Sequence, residues 1–244
     1  MKELRNWLRN HISSSKNTEA SNIIIIEDLV WLTWLEISEI IWLNNQISKM
    51  ERKPNVVLNV LDFDDTLYSR IHQLQLPILQ DNRWIRWNEI INNEIWFNNF
   101  IETQYSENEV VEKLRQIIEN QNTIHKSIIL TAWEKILQLA KCEKVWIWLD
   151  KSRVIVVDNA KSKPMKLVRE IIKLWYIPGK IIVYEDRPEY FLGTNGISLS
   201  KLLWIEIVVN HIFLDEVQTN KIKEIKQNTF RLNCKKCVAK IRSI

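Results

Sequence analysis

Three carboxylates follow directly on an apolar stretch of the chain and could together bind a cation. Residues 55–61 read Asn-Val-Val-Leu-Asn-Val-Leu, and Asp62, Asp64 and Asp65 come next. The run of Val and Leu predicts a strand buried on both faces, as in a parallel sheet. Open α/β sheets bind their ligands at the carboxyl ends of the strands. Because carboxylates gathered there repel one another, the stretch indicates a site for a hard cation such as Mg²⁺.

Residues 62–67, Asp-Phe-Asp-Asp-Thr-Leu, resemble the first motif of the haloacid dehalogenase superfamily, whose members are mostly phosphatases. Taken alone, the same residues are compatible with an acidic turn, since Asp and Thr are ordinary turn residues. The resemblance implies that Asp62 attacks phosphorus and forms an aspartyl-phosphate. It also implies that Asp64 protonates the leaving oxygen and later deprotonates the hydrolytic water.

Two further positions continue the resemblance along the chain. Thr131 ends the predicted strand 127–131, and the resemblance implies that its hydroxyl donates to a phosphoryl oxygen, as in the second motif of the superfamily. A lysine near the helix that follows residue 157 would offset the charge of the phosphorylated intermediate. Lys166 is the preferred candidate and Lys163 the alternative.

A pair of acids supplies the last motif. Glu185 and Asp186 follow the predicted strand 180–184. The resemblance implies that they are Mg²⁺ ligands together with Asp62 and Asp64, the last through its carbonyl. The string Val-Tyr-Glu-Asp-Arg at 183–187 narrows the resemblance to the haloacid dehalogenase domain of Swiss Army Knife RNA repair proteins.

Strands that alternate with helices predict an α/β fold with a Rossmann-like parallel sheet. We expect a helical segment at 1–53, the catalytic domain at 54–213 and a basic tail at 214–244. An irregular insertion at about 68–106 occupies the place of a cap. The tail segment 218–244 carries six Lys and two Arg against one Glu, in a chain of net charge +4.

The motifs and the resemblance they carry predict a Mg²⁺-dependent phosphohydrolase that acts through an aspartyl-phosphate. The resemblance alone implies that its substrates are RNA ends in a repair context. A small-metabolite phosphatase and a non-catalytic module that binds RNA or a protein partner are the alternatives. Residues 1–6 are too charged to open a signal peptide, and the isoleucine run 23–26 is too short to span a bilayer. With three cysteines and no disulfide framework, we expect a cytoplasmic protein without a membrane partner.

The balance of glycine and tryptophan is abnormal. The chain has 3 Gly and 12 Trp, whereas average usage predicts about 17 Gly in a chain of this length. Five tryptophans occupy turns or helix ends where glycine is expected: Trp133, Trp146, Trp148, Trp175 and Trp204. We expect these residues to be glycine in vivo, encoded by UGA codons that were translated as tryptophan.

Overall fold

Seven strands form one sheet in the computed structural model, which describes residues 37–70, 91–120, 122–145, 151–233 and 238–243. Trp146, Trp148 and most of the predicted N-terminal segment lie outside the described residues, as does 71–90 of the insertion. The strands are β1 (Glu51–Leu61), β2 (His125–Ala132), β3 (Val154–Val157), β4 (Tyr176–Glu185), β5 (Glu206–Leu214), β6 (Ile222–Asn233) and β7 (Val238–Ser243).

The order of the strands is β3-β2-β1-β4-β5-β6-β7. All pairs from β3 to β5 are parallel, and β6 and β7 are antiparallel additions. An order of 3-2-1-4-5 is that of a doubly wound, Rossmann-like sheet. In this sheet β2 and β3 lie on one side of β1, and β4 and β5 lie on the other, so the topological switch point lies between β1 and β4. The predicted fold class is therefore confirmed. Ligands of such folds bind at the topological switch point, outside the carboxyl ends of the strands.

Helices cover both faces of the sheet. The described helices are α1 (Ile37–Ser48), α2 (Glu94–Gln104), α3 (Glu112–Glu119), α4 (Lys135–Lys144), α5 (Lys163–Lys173) and α6 (Thr194–Leu203). Side chains alternate along β1, so that Leu58 and Val60 join a core with α1, α5 and α6, whereas Leu61 joins a core with α2, α3 and α4. This burial on both faces explains the continuous apolar runs in the sequence. None of the helices in the described ranges is long and apolar enough to cross a membrane.

The first strand begins before the predicted domain boundary. It starts at Glu51, and its pairing with β4 shifts between Lys53 and Val57. Pro54 lies in this irregularity, and a Cβ built on Gly179 of β4 would sit 1.9 Å from the Pro54 oxygen. Pro54 is accommodated inside the strand because the residue that it faces is glycine.

The described part of the insertion is not irregular. Residues 94–104 form α2, and the Asn93 side chain accepts a hydrogen bond of 3.1 Å from Trp96 N at its start. Tyr105, just after α2, packs against Tyr68 with ring centroids 5.1 Å apart. The Tyr68 hydroxyl donates to Glu109 Oε2 at 2.8 Å. The end of the insertion is thus anchored directly beside the acidic motif that it follows in sequence.

The basic C-terminal segment is not a separate tail. Residues 222–233 pair antiparallel with β5, and residues 238–243 pair with β6, so the segment extends the sheet. Phe230 is buried in the same core as β5 and α6. Exposed lysines such as Lys223 and Lys226 do not prevent the backbone of β6 from pairing with β5, so a run of basic residues is compatible with a strand.

Candidate active site

Three carboxylates converge at the topological switch point, beside the carboxyl ends of β1 and β4. Asp62 follows β1 and its N–H donates to Tyr184 O of β4 at 2.9 Å, which brings it beside Glu185. Ligand oxygens of Asp62, Glu185 and Asp186 all lie within 4.8 Å of one another. These residues were predicted from sequence to meet, and the parallel register of β1 and β4 is what places them together.

The electrostatics of this cluster favour a bound cation. Burial raises the pKa of Glu185 well above its ordinary value, and the neighbouring Asp62 adds to this effect against the opposing influence of Lys163. Burial, followed by the charges of Asp62 and Asp65, raises the pKa of Asp186 to about 7. A divalent cation would relieve this repulsion, and an all-oxygen donor set suits Mg²⁺. The residues present therefore fit the predicted metal.

Lys163, the alternative candidate, is the lysine that the structure brings to the cluster. It is the first residue of α5, and its Nζ lies 2.8 and 3.0 Å from the Glu185 oxygens. The same Nζ lies 2.9 Å from Asp62 Oδ1 and forms an ion pair with it. Burial opposes the charge on Lys163, but Asp62 and Glu185 outweigh it and raise its pKa. The ammonium is thus held charged against the candidate nucleophile.

Lys166, the preferred candidate, does not take this place. Its Nζ pairs with Glu170 Oε1 at 3.4 Å, one turn further along α5. The first residue of a helix lies beside the carboxyl edge of the sheet, whereas a residue three positions later is carried about one turn away. The position of the lysine on the helix, and not its residue type, decides which of the two meets the carboxylates.

Asp64 lies in a separate environment from Asp62. Both of its carboxylate oxygens contact Lys141 Nζ, at 2.9 and 3.0 Å, and Gln138 Nε2 donates to Oδ2 at 3.1 Å. Burial works to raise the pKa of Asp64, but the charges of Lys141 and Arg70 and the bond from Gln138 bring it below its ordinary value. Its side chain is therefore not one of the three converging carboxylates, and metal ligation through its carbonyl stays a prediction.

Gln138 and Lys141 were not predicted from the sequence to belong to the site. Both lie on the buried side of α4 between the apolar residues Leu137 and Cys142. The helical periodicity of α4 assigns both positions to the buried face, where polar side chains are unusual. Their residue types at these positions are the signal that could have revealed them.

Thr131 lies at the carboxyl end of β2, the strand next to β1, and is fully buried. The carbonyl of the next residue, Ala132, accepts a hydrogen bond of 3.0 Å from Gln138, the residue that also binds Asp64. The strand end that carries Thr131 therefore meets the Asp64 side of the site. Its contact with a phosphoryl oxygen stays a prediction.

Comparisons with known proteins are sparse. No family model matches the sequence, and no curated protein matches it. Among solved structures, the chain is similar to a protein from Burkholderia xenovorans LB400 described as a haloacid dehalogenase-like hydrolase. The two share 13% identity with a TM-score of 0.45, over 66% of this chain and 83% of that one. This similarity is too weak to support an inference about the chain. The resemblance to the superfamily rests on the motif residues, which the sheet brings to one edge.

Proposed function

We propose that the protein hydrolyses phosphoric monoesters through an aspartyl-phosphate on Asp62, with Mg²⁺ as its cofactor. The observation that carries this proposal is the convergence of Asp62 with Glu185 and Asp186 within 4.8 Å, with Lys163 against Asp62. A buried carboxylate can serve as a nucleophile only if it stays ionised, and a neighbouring ammonium favours that state.

Each side chain has a distinct part in the reaction. Asp62 attacks phosphorus, and the bond from phosphorus to the leaving oxygen breaks as the new bond forms. Lys163 offsets the negative charge of the phosphorylated carboxylate. Mg²⁺, held by Asp62, Glu185 and Asp186, would neutralise charge on the phosphoryl oxygens.

Asp64 is suited to move protons in this reaction. Its lowered pKa keeps it ionised in the free site, so that it can take a proton from the water that attacks the aspartyl-phosphate. For the first step it must donate a proton to the leaving oxygen. The negative charge of an arriving phosphate raises the pKa of a neighbouring carboxyl and so favours the protonated form.

We further propose that the phosphate is on an RNA end. The resemblance of residues 183–187 to Swiss Army Knife RNA repair proteins supports this substrate, as does the excess of positive charge in residues 218–244. Three exposed lysines of this segment project from β6 and the turn before it: Lys221, Lys223 and Lys226. Ammonium groups of this kind release counterions when they contact phosphates and so contribute affinity.

A phosphatase assay tests both proposals. Purified protein is offered RNA with a 3′-phosphate, RNA with a 5′-phosphate and p-nitrophenyl phosphate, in Mg²⁺ and in EDTA. We expect Mg²⁺-dependent release of phosphate that Asp62→Asn abolishes without unfolding the protein. The control is Asp215→Asn, which alters a carboxylate in the turn after β5 that is not one of the converging three. Asparagine keeps the side-chain oxygen that accepts from Val217 N.

The outcomes separate the candidate functions. Faster hydrolysis of small phosphoesters than of either RNA would retain the phosphatase and reject the RNA substrate. RNA binding without hydrolysis of any substrate would reject the phosphatase in favour of a binding module. Full activity of Asp62→Asn would reject the aspartyl-phosphate mechanism.

A further inference from the structure

Three tryptophans have backbone conformations that favour glycine. The φ angle is 94° at Trp133, 59° at Trp175 and 54° at Trp204. For an L residue this region forces Cβ towards a carbonyl oxygen, a strain that glycine avoids. Among the described residues, the other non-glycine residue with positive φ is Asp65, a residue type that tolerates this conformation.

Two of these residues end helices. Trp204 caps α6 with φ 54° and ψ 44°, and its N–H donates to Ser200 O. Trp175 follows Leu174, the cap of α5, and its N–H donates to Ile172 O at 3.1 Å. Helices commonly end on glycine in this left-handed conformation.

The indoles at the two helix ends are largely exposed to solvent. Trp175 is 76% exposed and Trp204 is 48% exposed. The favourable contribution of a tryptophan to stability is the removal of its large apolar surface from water, and much of that surface is not removed here. Glycine at these two positions would remove both the backbone strain and the exposed apolar surface.

The third residue, Trp133, lies at the edge of the candidate active site. It follows Ala132, whose carbonyl shares the amide of Gln138 with Asp64. Its own N–H donates to Val157 O at 2.7 Å, so the strained backbone is held in place by the end of β3. Glycine would keep this hydrogen bond and remove a half-buried indole from the edge of the site.

The remaining described tryptophans behave differently. Trp42 lies in α1 and Trp96 in α2, and neither has a positive φ. The positive φ angles therefore fall on Trp133, Trp175 and Trp204. These are the three described residues among the five tryptophans that the sequence places in turns or at helix ends. A chain with 3 Gly where about 17 are expected is short of the residue that these positions favour.

We propose that positions 133, 175 and 204 are glycine in the protein as its own cells make it. Their codons are UGA, which that organism decodes as glycine and which a translation table with UGA as tryptophan misassigns. This inference concerns the backbone and the gene, and it stands or fails independently of the proposed phosphatase activity.

Two measurements decide the identity of these residues directly. Sequencing of the gene is expected to show UGA at codons 133, 175 and 204. Mass spectrometry of peptides from the protein isolated from its own source is expected to show the residue mass of glycine there. UGG at these codons, or tryptophan in the native peptides, overturns the inference.

Thermal unfolding of the full recombinant chain tests the structural argument. We expect Trp175→Gly and Trp204→Gly each to raise Tm by about 2–8 °C, which corresponds to removal of the left-handed strain. The matched control is Trp96→Gly, an exposed tryptophan inside α2, which is expected to give no rise because glycine weakens a helix interior. A lower Tm for Trp175→Gly and Trp204→Gly than for the parent chain contradicts the proposal.

Discussion

Replacing Lys141 by Met isolates the pair that holds the proposed acid/base, Asp64. The Lys141 side chain is 2% exposed, and its ammonium contacts both oxygens of a carboxylate whose side chain is 12% exposed. Breaking a buried pair by removal of one partner costs about 3–5 kcal/mol, because the other charge stays buried. Gln138 still donates to Asp64 in the variant, so we expect a loss at the lower end, about 3 kcal/mol.

Urea unfolding at neutral pH measures this loss. The control is Lys144→Met, one turn further along α4, whose ammonium pairs with the exposed carboxylate of Glu102. An exposed pair of this kind contributes less than about 1 kcal/mol. Asp64→Asn in the Lys141→Met background removes the carboxylate charge that has lost its lysine partner, and we expect this double variant to regain most of the lost free energy of unfolding.

The pH dependence provides a further check. The native pKa of Asp64 is lowered, against burial, by Lys141 and Arg70, so the pair stabilises the fold above the ordinary value of 3.8 and loses this effect as pH falls through the native pKa. The difference in stability between the parent and Lys141→Met should therefore narrow below about pH 4. A loss under about 1 kcal/mol at neutral pH, or no recovery in the double variant, would refute this account of the pair.

The same substitution should affect catalysis in a specific way. Lys141 holds both oxygens of Asp64, so its loss lets the carboxylate leave the position from which it exchanges protons with substrate and water. General acid–base catalysis contributes about 10²–10⁴-fold. We expect kcat to fall by about 10²-fold while KM changes little, because the proposed role of Lys141 is to position Asp64 for proton transfer. A rise in KM of about 10²-fold with an unchanged kcat would contradict this role of Lys141.

Three further predictions concern the charges around the site. Lys163→Met should abolish turnover, whereas Lys166→Met on the same helix should not, as compared by steady-state phosphatase assays. Mg²⁺ should raise Tm because it binds only the folded protein, and Asp186→Asn should reduce that rise; an equal rise in the variant would show that the ion binds elsewhere. The slope of log Kobs against log[salt] for binding of single-stranded RNA should become shallower by about 0.7 for each phosphate contact removed. Lys49→Gln should leave this slope unchanged. The substitutions that remove these contacts are Lys221→Gln, Lys223→Gln and Lys226→Gln.

The carboxylates of the site could be read from sequence because their placement follows from local rules. An apolar run that ends in Asp62 and another that ends in Glu185 each predict a buried strand with acids at its carboxyl end. In a parallel sheet these ends share one edge, and in the doubly wound strand order β1 and β4 are neighbours, so the fold class and its strand order together account for the proximity of the carboxylates. The positive φ of Trp133, Trp175 and Trp204 was indicated in the same way, because a chain that leaves a helix or strand end uses glycine for a local steric reason.

The cations of the site were decided by the tertiary structure. Lys163 and Lys166 are the same residue type on one helix, and only the docking of α5 on the sheet brings the first to Asp62. Lys141 is likewise one of several lysines on α4 until that helix packs beside Asp64. The basic residues after 218 formed a tail in sequence and strands in the structure, because β5 offered an unpaired edge to them. A long flexible side chain takes its partner from whatever lies within reach after folding, and the spacing of residues along the chain does not record that distance.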